Sequence, residues 1–118
     1  MAVTHEVRIK RVYEEPSPDD GFRVLVDRLW PRGVSKADAH FDVWLKDVGP
    51  SNELRQWFGH DPAKFEQFAA RYRDELKGSD AFAQLRQLAD EHPVLTLVYG
   101  AKDTQHNQAV VLQGVLNG

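Results

Sequence analysis

Charged residues directly follow a short apolar run near the start of the sequence. Residues 24–26 (VLV) have the pattern of a strand buried on both faces of a sheet, and Asp27, Arg28, Trp30 and Arg32 come immediately after it. Ligands of open α/β sheets bind beyond the carboxyl ends of the strands. Arginines there can hold phosphate or carboxylate, and a carboxylate can orient or move a proton. The sequence therefore predicts a site at this strand exit.

A second polar group follows the other clear apolar run, residues 94–98 (VLTLV). Lys102 is a compact charge for an anion, and His106, with an ordinary pKa near ~6.5, can transfer a proton at neutral pH. If the two strands are parallel neighbours, both groups meet at one end of the sheet. We predict a catalytic set of His106, Asp27 and Asp103. We predict a substrate-binding set of Arg28, Trp30, Arg32, Lys102, Asn107 and His60.

Structural roles compete with functional ones at several of these positions. Asp27 could form an ion network with Arg28 or Lys102 that anchors loops, because charge at a strand end is costly to bury unpaired. Asp103 could cap the last helix and so occupy the amides that would otherwise receive an anion. His60 could simply shape a turn. The sequence leaves these alternatives open.

Composition narrows the class of protein. The chain has 118 residues and a formal net charge of -3, which fits one domain over 1–118 and disfavours indiscriminate binding to nucleic acid. It contains no cysteine, which excludes disulfides, thiol nucleophiles and thiolate metal sites. No apolar run approaches the ~20 residues that cross a bilayer. We therefore expect a cytoplasmic protein with no membrane association.

The sequence predicts no cofactor and no metal. There is no glycine-rich loop of the kind that binds a methyl donor, and no pair of histidines has the i, i+4 spacing of a helical metal clamp. A metal set made of His40, Asp42, His60 and Asp61 would require the fold to gather these side chains.

The segment before residue 22 leaves the sheet topology open. Residues 7–12 (VRIKRV) predict a first strand with a basic side, typical of a solvated edge strand. Residues 14–21 (EEPSPDDG) predict turns. Because a parallel crossover normally takes a dozen or more residues and a helix, this connection favours either antiparallel pairing or an irregular crossover.

The segment between the two apolar strands is predicted to be helical. Ser35 begins the S-x-x-D spacing of a capping box, Ser51 and Asp61 suit N-caps, and Gly59 suits a left-handed C-cap. Helical spacing, together with residues that cap or break helices, predicts helices over residues 42–48, 51–58 and 61–77. Two more are predicted to begin at residue 35 and at residue 79 or 80. A last helix follows residue 103. The predicted fold is α/β, a small mostly parallel sheet of about three strands with helices packed around it in one three-layer-like domain.

Three strings carry a family resemblance: VLVDRLWPRG, DVWLKDVGPSNELRQWFGHDP and TLVYGAKDTQHN. In this order and spacing the chain resembles the YeaO-like family of uncharacterised bacterial proteins, a domain of unknown function. The resemblance covers nearly the whole chain and implies a small single-domain α/β protein without an established activity.

More distant relatives add a partial pattern. They resemble this chain in a strand ending in Asp-x-Arg and in a late loop carrying an acid and then Cys-His-Arg. Asp27 and Arg28 stand near the first pattern, and His106 stands at the histidine of the second. Gln105 replaces the cysteine and Asn107 the arginine, so the resemblance does not carry over chemistry that uses either group.

Two functional hypotheses follow. The first is an enzyme, or a decayed enzyme, that holds a small anionic, phosphate-bearing and nucleotide-like substrate at the carboxyl ends of the strands. The second is a non-catalytic module that binds nucleic acid or a protein through the basic first strand, Arg23 and Trp30. The net charge places nucleic acid second to a small ligand, and the sequence does not predict the oligomeric state.

Overall fold

The computed structural model describes residues 5–117, apart from the side chains of residues 38 and 39. It contains a four-stranded sheet in which every pairing is parallel. In chain order the strands are β1 (Glu6–Arg11), β2 (Phe22–Leu25), β3 (Val43–Trp44) and β4 (Val94–Tyr99). The spatial order is β1-β4-β2-β3, so β1 is an edge strand and the two apolar strands, β2 and β4, are parallel neighbours, the condition on which the site prediction depended.

Residues 5–117 also form five α-helices. They are α1 (Lys36–Ala39), α2 (Asn52–Phe58), α3 (Phe65–Leu76), α4 (Asp80–Glu91) and α5 (Gln108–Asn117). Short 3-10 turns lie at Pro18–Asp20, Lys46–Val48 and Pro62–Lys64. The predicted α/β fold is confirmed, with one strand more than expected.

One face of the sheet carries the hydrophobic core. The parallel register aligns Val7 with Leu95 and Val24 with Leu97, and all four side chains are buried. Helix α5 packs against β1 and β4, and α3 adds residues at helical spacing to the same core, including the fully buried Phe68 and Tyr72. Burial of this apolar face is the main stabilising contribution to the fold.

The opposite face is crossed by the segment between β1 and β2. Lys10, Arg23 and Thr96 lie on this face, and all three contact Asp20 from the Pro18–Asp20 turn. The Thr96 hydroxyl donates to the Asp20 carbonyl at 2.6 Å. The segment thus makes the irregular parallel crossover that the sequence left as one of two options, and hydrogen bonds and ion pairs replace the usual helix.

Glycine is required where this crossover enters β2. Gly21 has φ 64°, and a Cβ atom at this position would lie 2.2 Å from the Val94 carbonyl oxygen. The backbone therefore approaches β4 closely in a conformation that other residues rarely adopt.

The predicted helix over 42–48 is wrong. Val43 and Trp44 form β3, since Asp42 N–H donates to Arg23 O at 2.9 Å and Leu45 N–H donates to Leu25 O at 3.0 Å. The end of the predicted segment, Lys46–Val48, forms a short 3-10 turn. Pairing with the edge of β2 outweighs the local helical spacing, and Val and Trp both suit strands.

The predicted helix boundaries are confirmed at most positions. Ser51 Oγ accepts from Leu54 N–H at 3.1 Å, and Gly59 takes the left-handed conformation at φ 54°. Asp61 accepts from Ala63 N–H at 3.0 Å, although it caps the Pro62–Lys64 turn that leads into α3 rather than α3 itself. A short helix follows Ser35, but the predicted capping box depends on Asp38, whose side chain lies outside the described residues.

Candidate functional site

A cleft of about 380 Å³ opens at the carboxyl ends of β2 and β4. Its volume is within the range of small-molecule sites. Six of the nine predicted site residues line it: Asp27, Arg28, Trp30, Arg32, His60 and Asn107. Lys102, Asp103 and His106 do not line it. The two predicted groups therefore meet only in part, and a different set of residues completes the cleft.

Asp27 lies at the inner end of the cleft, directly beyond β2. Its Oδ2 accepts from Gly100 N–H at 2.7 Å, and its Oδ1 accepts from the Gln108 amide. Burial raises the pKa of this carboxyl, against the opposing effects of those two donors and of the nearby His60. Among the ion pairs of the described residues, none involves Asp27. The Asp27 ion network with Arg28 or Lys102, one of the alternatives that the sequence left open, is therefore absent from this part of the chain.

Arg28 is anchored to backbone. Its Nε donates to Pro50 O at 3.0 Å and its Nη2 donates to Gly49 O at 2.9 Å, while Nη1 lies 3.9 Å from the exposed Asp47 carboxylate. The guanidinium fixes the loop before α2 against the β2 exit and still borders the cleft.

Arg32 is exposed at the cleft. Its backbone carbonyl accepts a hydrogen bond from Tyr13 OH at 2.9 Å. Within residues 5–117 its guanidinium makes no ion pair, so it remains available at the cleft.

Trp30 forms one side of the cleft and is fixed by aromatic neighbours. Its Nε1 donates to Val34 O at 2.7 Å. The ring makes edge contacts with Phe41 and Trp44, with centroids 5.7 and 5.3 Å apart. It is therefore a rigid apolar wall.

His60 borders the cleft from the turn after α2. It follows the left-handed Gly59 and itself has φ 57°, a conformation that is uncommon for a side-chain-bearing residue. The turn explains its position, and the structure also places it near Asp27, whose pKa its charge lowers.

His106 and Asp103 pair with each other outside the cleft. Asp103 accepts from the backbone amides of Gln105 and His106, and its Oδ2 lies 2.9 Å from His106 Nδ1. These hydrogen bonds, the Gln105 amide first, hold the pKa of Asp103 below its ordinary value. The imidazole packs edge-on against Phe65 with centroids 5.2 Å apart. The pair shapes the loop between β4 and α5.

Asn107, rather than Asp103, caps α5. Its Oδ1 accepts from Val110 N–H at 3.0 Å and its Nδ2 donates to Asp103 O at 2.8 Å. Only 1% of this residue is exposed, so its place in the cleft wall is mainly structural. The sequence offered Asp103 as the cap of the last helix, and the structure shows that Asn107 has this role instead. Lys102 is exposed beside the cleft without lining it.

Several residues that line the cleft were not predicted from the sequence, among them Tyr13, Arg55, Phe58, Phe68 and Gln108. Arg55 and Phe58 are three residues apart on α2, so helical spacing could have placed them on one side of that helix. Arg55 Nη2 donates to Asn52 Oδ1 at 3.2 Å, whereas its buried Nε has no hydrogen-bond partner. No local sequence pattern indicated that Gln108 or Tyr13 would line the cleft.

The basic side of β1 is largely paired. Arg8 contacts the Glu6 carboxylate at 3.0 Å and Lys10 contacts Asp20 at 3.1 Å. Arg11 donates to Ala101 O at 2.8 Å, and Arg23 is buried against Asp20. These four basic residues of the predicted nucleic-acid interface therefore make contacts within the fold, and its fifth residue, Trp30, lines the cleft.

The described residues form neither a cluster of metal ligands nor a helix that could span a membrane. Across the described ranges, no group of three or more histidine, aspartate or glutamate side chains is placed to hold a metal ion, so the set His40, Asp42, His60 and Asp61 is not gathered. The helices of residues 5–117 include none that is both long and apolar enough to span a bilayer.

Comparisons with known proteins identify the family. A protein-family model described as the inactive DUF488-N3 subclade matches residues 6–118. Uncharacterised proteins of Mycobacterium bovis and Mycobacterium tuberculosis are each 49% identical over 112 residues, covering 95% of this chain and 94% of theirs. The uncharacterised protein YeaO of Escherichia coli is 42% identical over 107 residues, covering 90% of this chain and 92% of YeaO. No solved structure matches the chain significantly. The chain therefore belongs to the YeaO-like DUF488 family, as its sequence motifs predicted.

Proposed function

We propose that the protein binds a small organic anion in the cleft and does not itself catalyse a reaction. The observation that carries this proposal is the sign of charge in the cleft. Arg28, Arg32 and Arg55 line it against a single carboxylate, Asp27, although the whole chain has a net charge of -3. A concave site in which charges of one sign predominate attracts a ligand of the opposite charge.

The walls of the cleft favour an organic ligand over a bare inorganic anion. Trp30, Pro31 and Pro50 line it from the loops, and Phe58 and Phe68 line it from α2 and α3. The Phe58 and Phe68 rings stack with centroids 4.2 Å apart, which makes this wall rigid. Apolar walls with a few placed polar groups are the usual composition of a ligand pocket.

The arrangement of the titratable groups supports binding without catalysis. The predicted proton-transfer pair, His106 with Asp103, lies outside the cleft. The chain also has glutamine at position 105, where more distant relatives carry cysteine. The description of the matching family model as inactive agrees with this proposal.

A thermal-shift screen of sugar phosphates, nucleotides and aromatic carboxylates tests it. A ligand at ~100 times its dissociation constant stabilises by ~2.7 kcal/mol, which raises the Tm of a domain of this size by several degrees. We expect the shift to shrink in Arg32→Ala. It should persist in His106→Ala, because His106 does not line the cleft.

The opposite pattern would overturn the proposal. If His106→Ala abolished the shift while Arg32→Ala kept it, the site would lie at the loop between β4 and α5. If no anion in the screen shifted the parent protein, the cleft would not be an anion site.

A further inference from the structure

We propose that the cleft recognises its ligand at two ends, with Asp27 accepting a hydrogen bond from an N–H donor and Arg55 donating to an oxyanion. This inference rests on the proposed function and names the ligand class: a planar, N–H-bearing group joined to a phosphate or carboxylate, as in a purine nucleoside monophosphate. Both side chains have hydrogen-bonding capacity that the fold leaves unfilled.

Asp27 has acceptor capacity to spare. An ionised carboxylate offers about four lone-pair positions. In this structure Gly100 N–H and the Gln108 amide use one position on each oxygen. Both donors are neutral, and among the described residues no ion pair includes Asp27, although the charge of the nearby His60 acts to lower its pKa. A partly buried carboxylate without an ion pair gains most from a further donor, and the cleft is where a ligand can bring one.

Arg55 has the complementary property. Its Nε is buried without a hydrogen-bond partner, whereas its Nη2 is fixed by Asn52 Oδ1 at 3.2 Å. Buried donors are nearly always paired, so an orphaned Nε–H in a guanidinium that borders the cleft favours an acceptor there. Because Nε itself is closed to solvent, the side chain reaches such an acceptor by turning towards the cleft or by bonding first through Nη1, for which the described residues supply no partner. An oxyanion is the acceptor that suits a guanidinium best.

The two side chains lie on different structural elements that meet at the cleft. Asp27 follows β2 and Arg55 belongs to α2, with Phe58 and Phe68 contributing to the wall of the same cleft. A planar ring against this wall would reach Asp27 with its N–H groups while its anionic end reaches Arg55. A ligand with only one of the two ends would leave either Asp27 or Arg55 unsatisfied.

Isothermal titration calorimetry with three probes tests the inference. Guanosine 5′-monophosphate carries both ends, guanosine carries the N–H groups alone, and ribose 5-phosphate carries the oxyanion alone. We expect the parent to bind the complete probe at least ~10-fold more tightly than either fragment, because hydrogen bonds to charged groups are individually strong. Asp27→Asn should weaken the complete probe ~10-fold and leave ribose 5-phosphate unchanged. Arg55→Gln should weaken both phosphate-bearing probes and leave guanosine unchanged.

Matched controls separate recognition from folding. Arg73→Gln on α3 and Asp90→Asn on α4 remove the same charges at exposed positions that do not line the cleft. Circular dichroism melts establish that every variant is folded, and Arg55→Lys keeps the charge but loses the Nε–H if Arg55→Gln fails to fold.

Each outcome supports or contradicts a distinct claim. If Asp27→Asn and Arg55→Gln bind all three probes as the parent does, the two-ended recognition is wrong while an anion site in the cleft still stands. If the parent binds ribose 5-phosphate as tightly as guanosine 5′-monophosphate, the two-ended recognition is also wrong, and an anion site in the cleft still stands. Absence of binding by all three probes contradicts the two-ended recognition, and the wider anion screen then decides the proposed function separately.

Discussion

Charged residues are concentrated in two regions of the molecule, and the two regions treat charge in opposite ways. In the ionic crossover, which comprises Lys10, Asp20 and Arg23, each buried charge has a partner of opposite sign. In the cleft, Asp27 has only neutral donors and Arg55 keeps an unpaired buried N–H. The difference indicates that the crossover uses charge to hold the chain together, whereas the cleft keeps donors and acceptors available.

Removing the central carboxylate of the crossover should have the largest effect. Asp20 and Arg23 are each only 5% exposed, so Asp20→Asn leaves a buried guanidinium without its counter-charge. We expect a loss of about 3 kcal/mol in the free energy of unfolding, measured by urea denaturation. Asp19→Asn, at the exposed neighbouring position, is the matched control and should change stability little. A small loss for Asp20→Asn would mean that the pairs contribute no net stability.

Filling the space beside Asp27 should have the next largest effect. A Cβ atom on Gly100 would lie 2.9 Å from Asp27 Oδ2, so Gly100→Ala must displace the carboxylate from its backbone donor. We expect a cost of about 1–2 kcal/mol in urea unfolding and weaker ligand binding in the cleft. Gly114→Ala on α5, where a Cβ atom meets nothing within 4 Å, is the control. Unchanged stability and binding would mean that Asp27 adapts freely.

The two carboxylates should respond to pH with opposite signs. Burial acts to raise the pKa of Asp20, but hydrogen bonds from Ser17 N–H, Lys10 and Arg23 outweigh it and hold the pKa below its ordinary value. Asp20 thus adds stability above its ordinary pKa, and this is lost as pH falls through the lowered pKa. The pKa of Asp27 is raised, so its contribution falls as pH rises from its ordinary pKa through the raised one.

Neutral substitution of Asp27 tests this sign directly. Asn offers one acceptor oxygen where the carboxylate offers two, so Asp27→Asn loses a hydrogen bond from Gly100 N–H or the Gln108 amide at any pH. Because it also removes a partly buried charge, we expect its free energy of unfolding relative to the parent to be higher at pH 7 than below pH 4, by up to about 1 kcal/mol. Urea unfolding of parent and variant at the two pH values measures this difference. A variant whose relative stability is the same at both pH values, or lower at pH 7, would show that the charged form is not disfavoured in the fold.

The smallest effect is expected outside both regions. Asp61 is an exposed cap that accepts from Ala63 N–H, so Asp61→Ala should lower the free energy of unfolding by about 0.5–1 kcal/mol. Because Asp61 does not line the cleft, ligand affinity should not change. An unchanged urea midpoint would mean that the cap contributes nothing, and a large change in affinity would extend the site beyond the cleft.

The parts of the fold that the sequence predicts are those determined by local pattern. Strands β2 and β4 and helix α3 follow from apolar runs, helical spacing and capping residues, which act over a few positions. Strand β3 was missed because its two residues acquire strand structure only by pairing with β2. The parallel crossover was unresolved because the contacts of Asp20 with Arg23 and Thr96 exist only once the strands have assembled.

The candidate site divides in the same way. Asp27, Arg28 and Arg32 follow a strand directly, so their place at its exit could be predicted. His106 could not be placed, because Asp103 turns its imidazole away towards Phe65. Arg55 enters the cleft from a helix more than twenty positions further along the chain, and only the packing of α2 brings it there.

An NMR titration tests most directly whether the cleft, rather than the basic strand, is the binding region. Backbone amide shifts of the 15N-labelled protein would be followed while guanosine 5′-monophosphate is added. We predict the largest changes at His60, Gly100 and Gln108, which line the cleft, and negligible changes at Arg8 and Lys10 on β1. Changes confined to β1, with the cleft amides unmoved, would contradict this assignment.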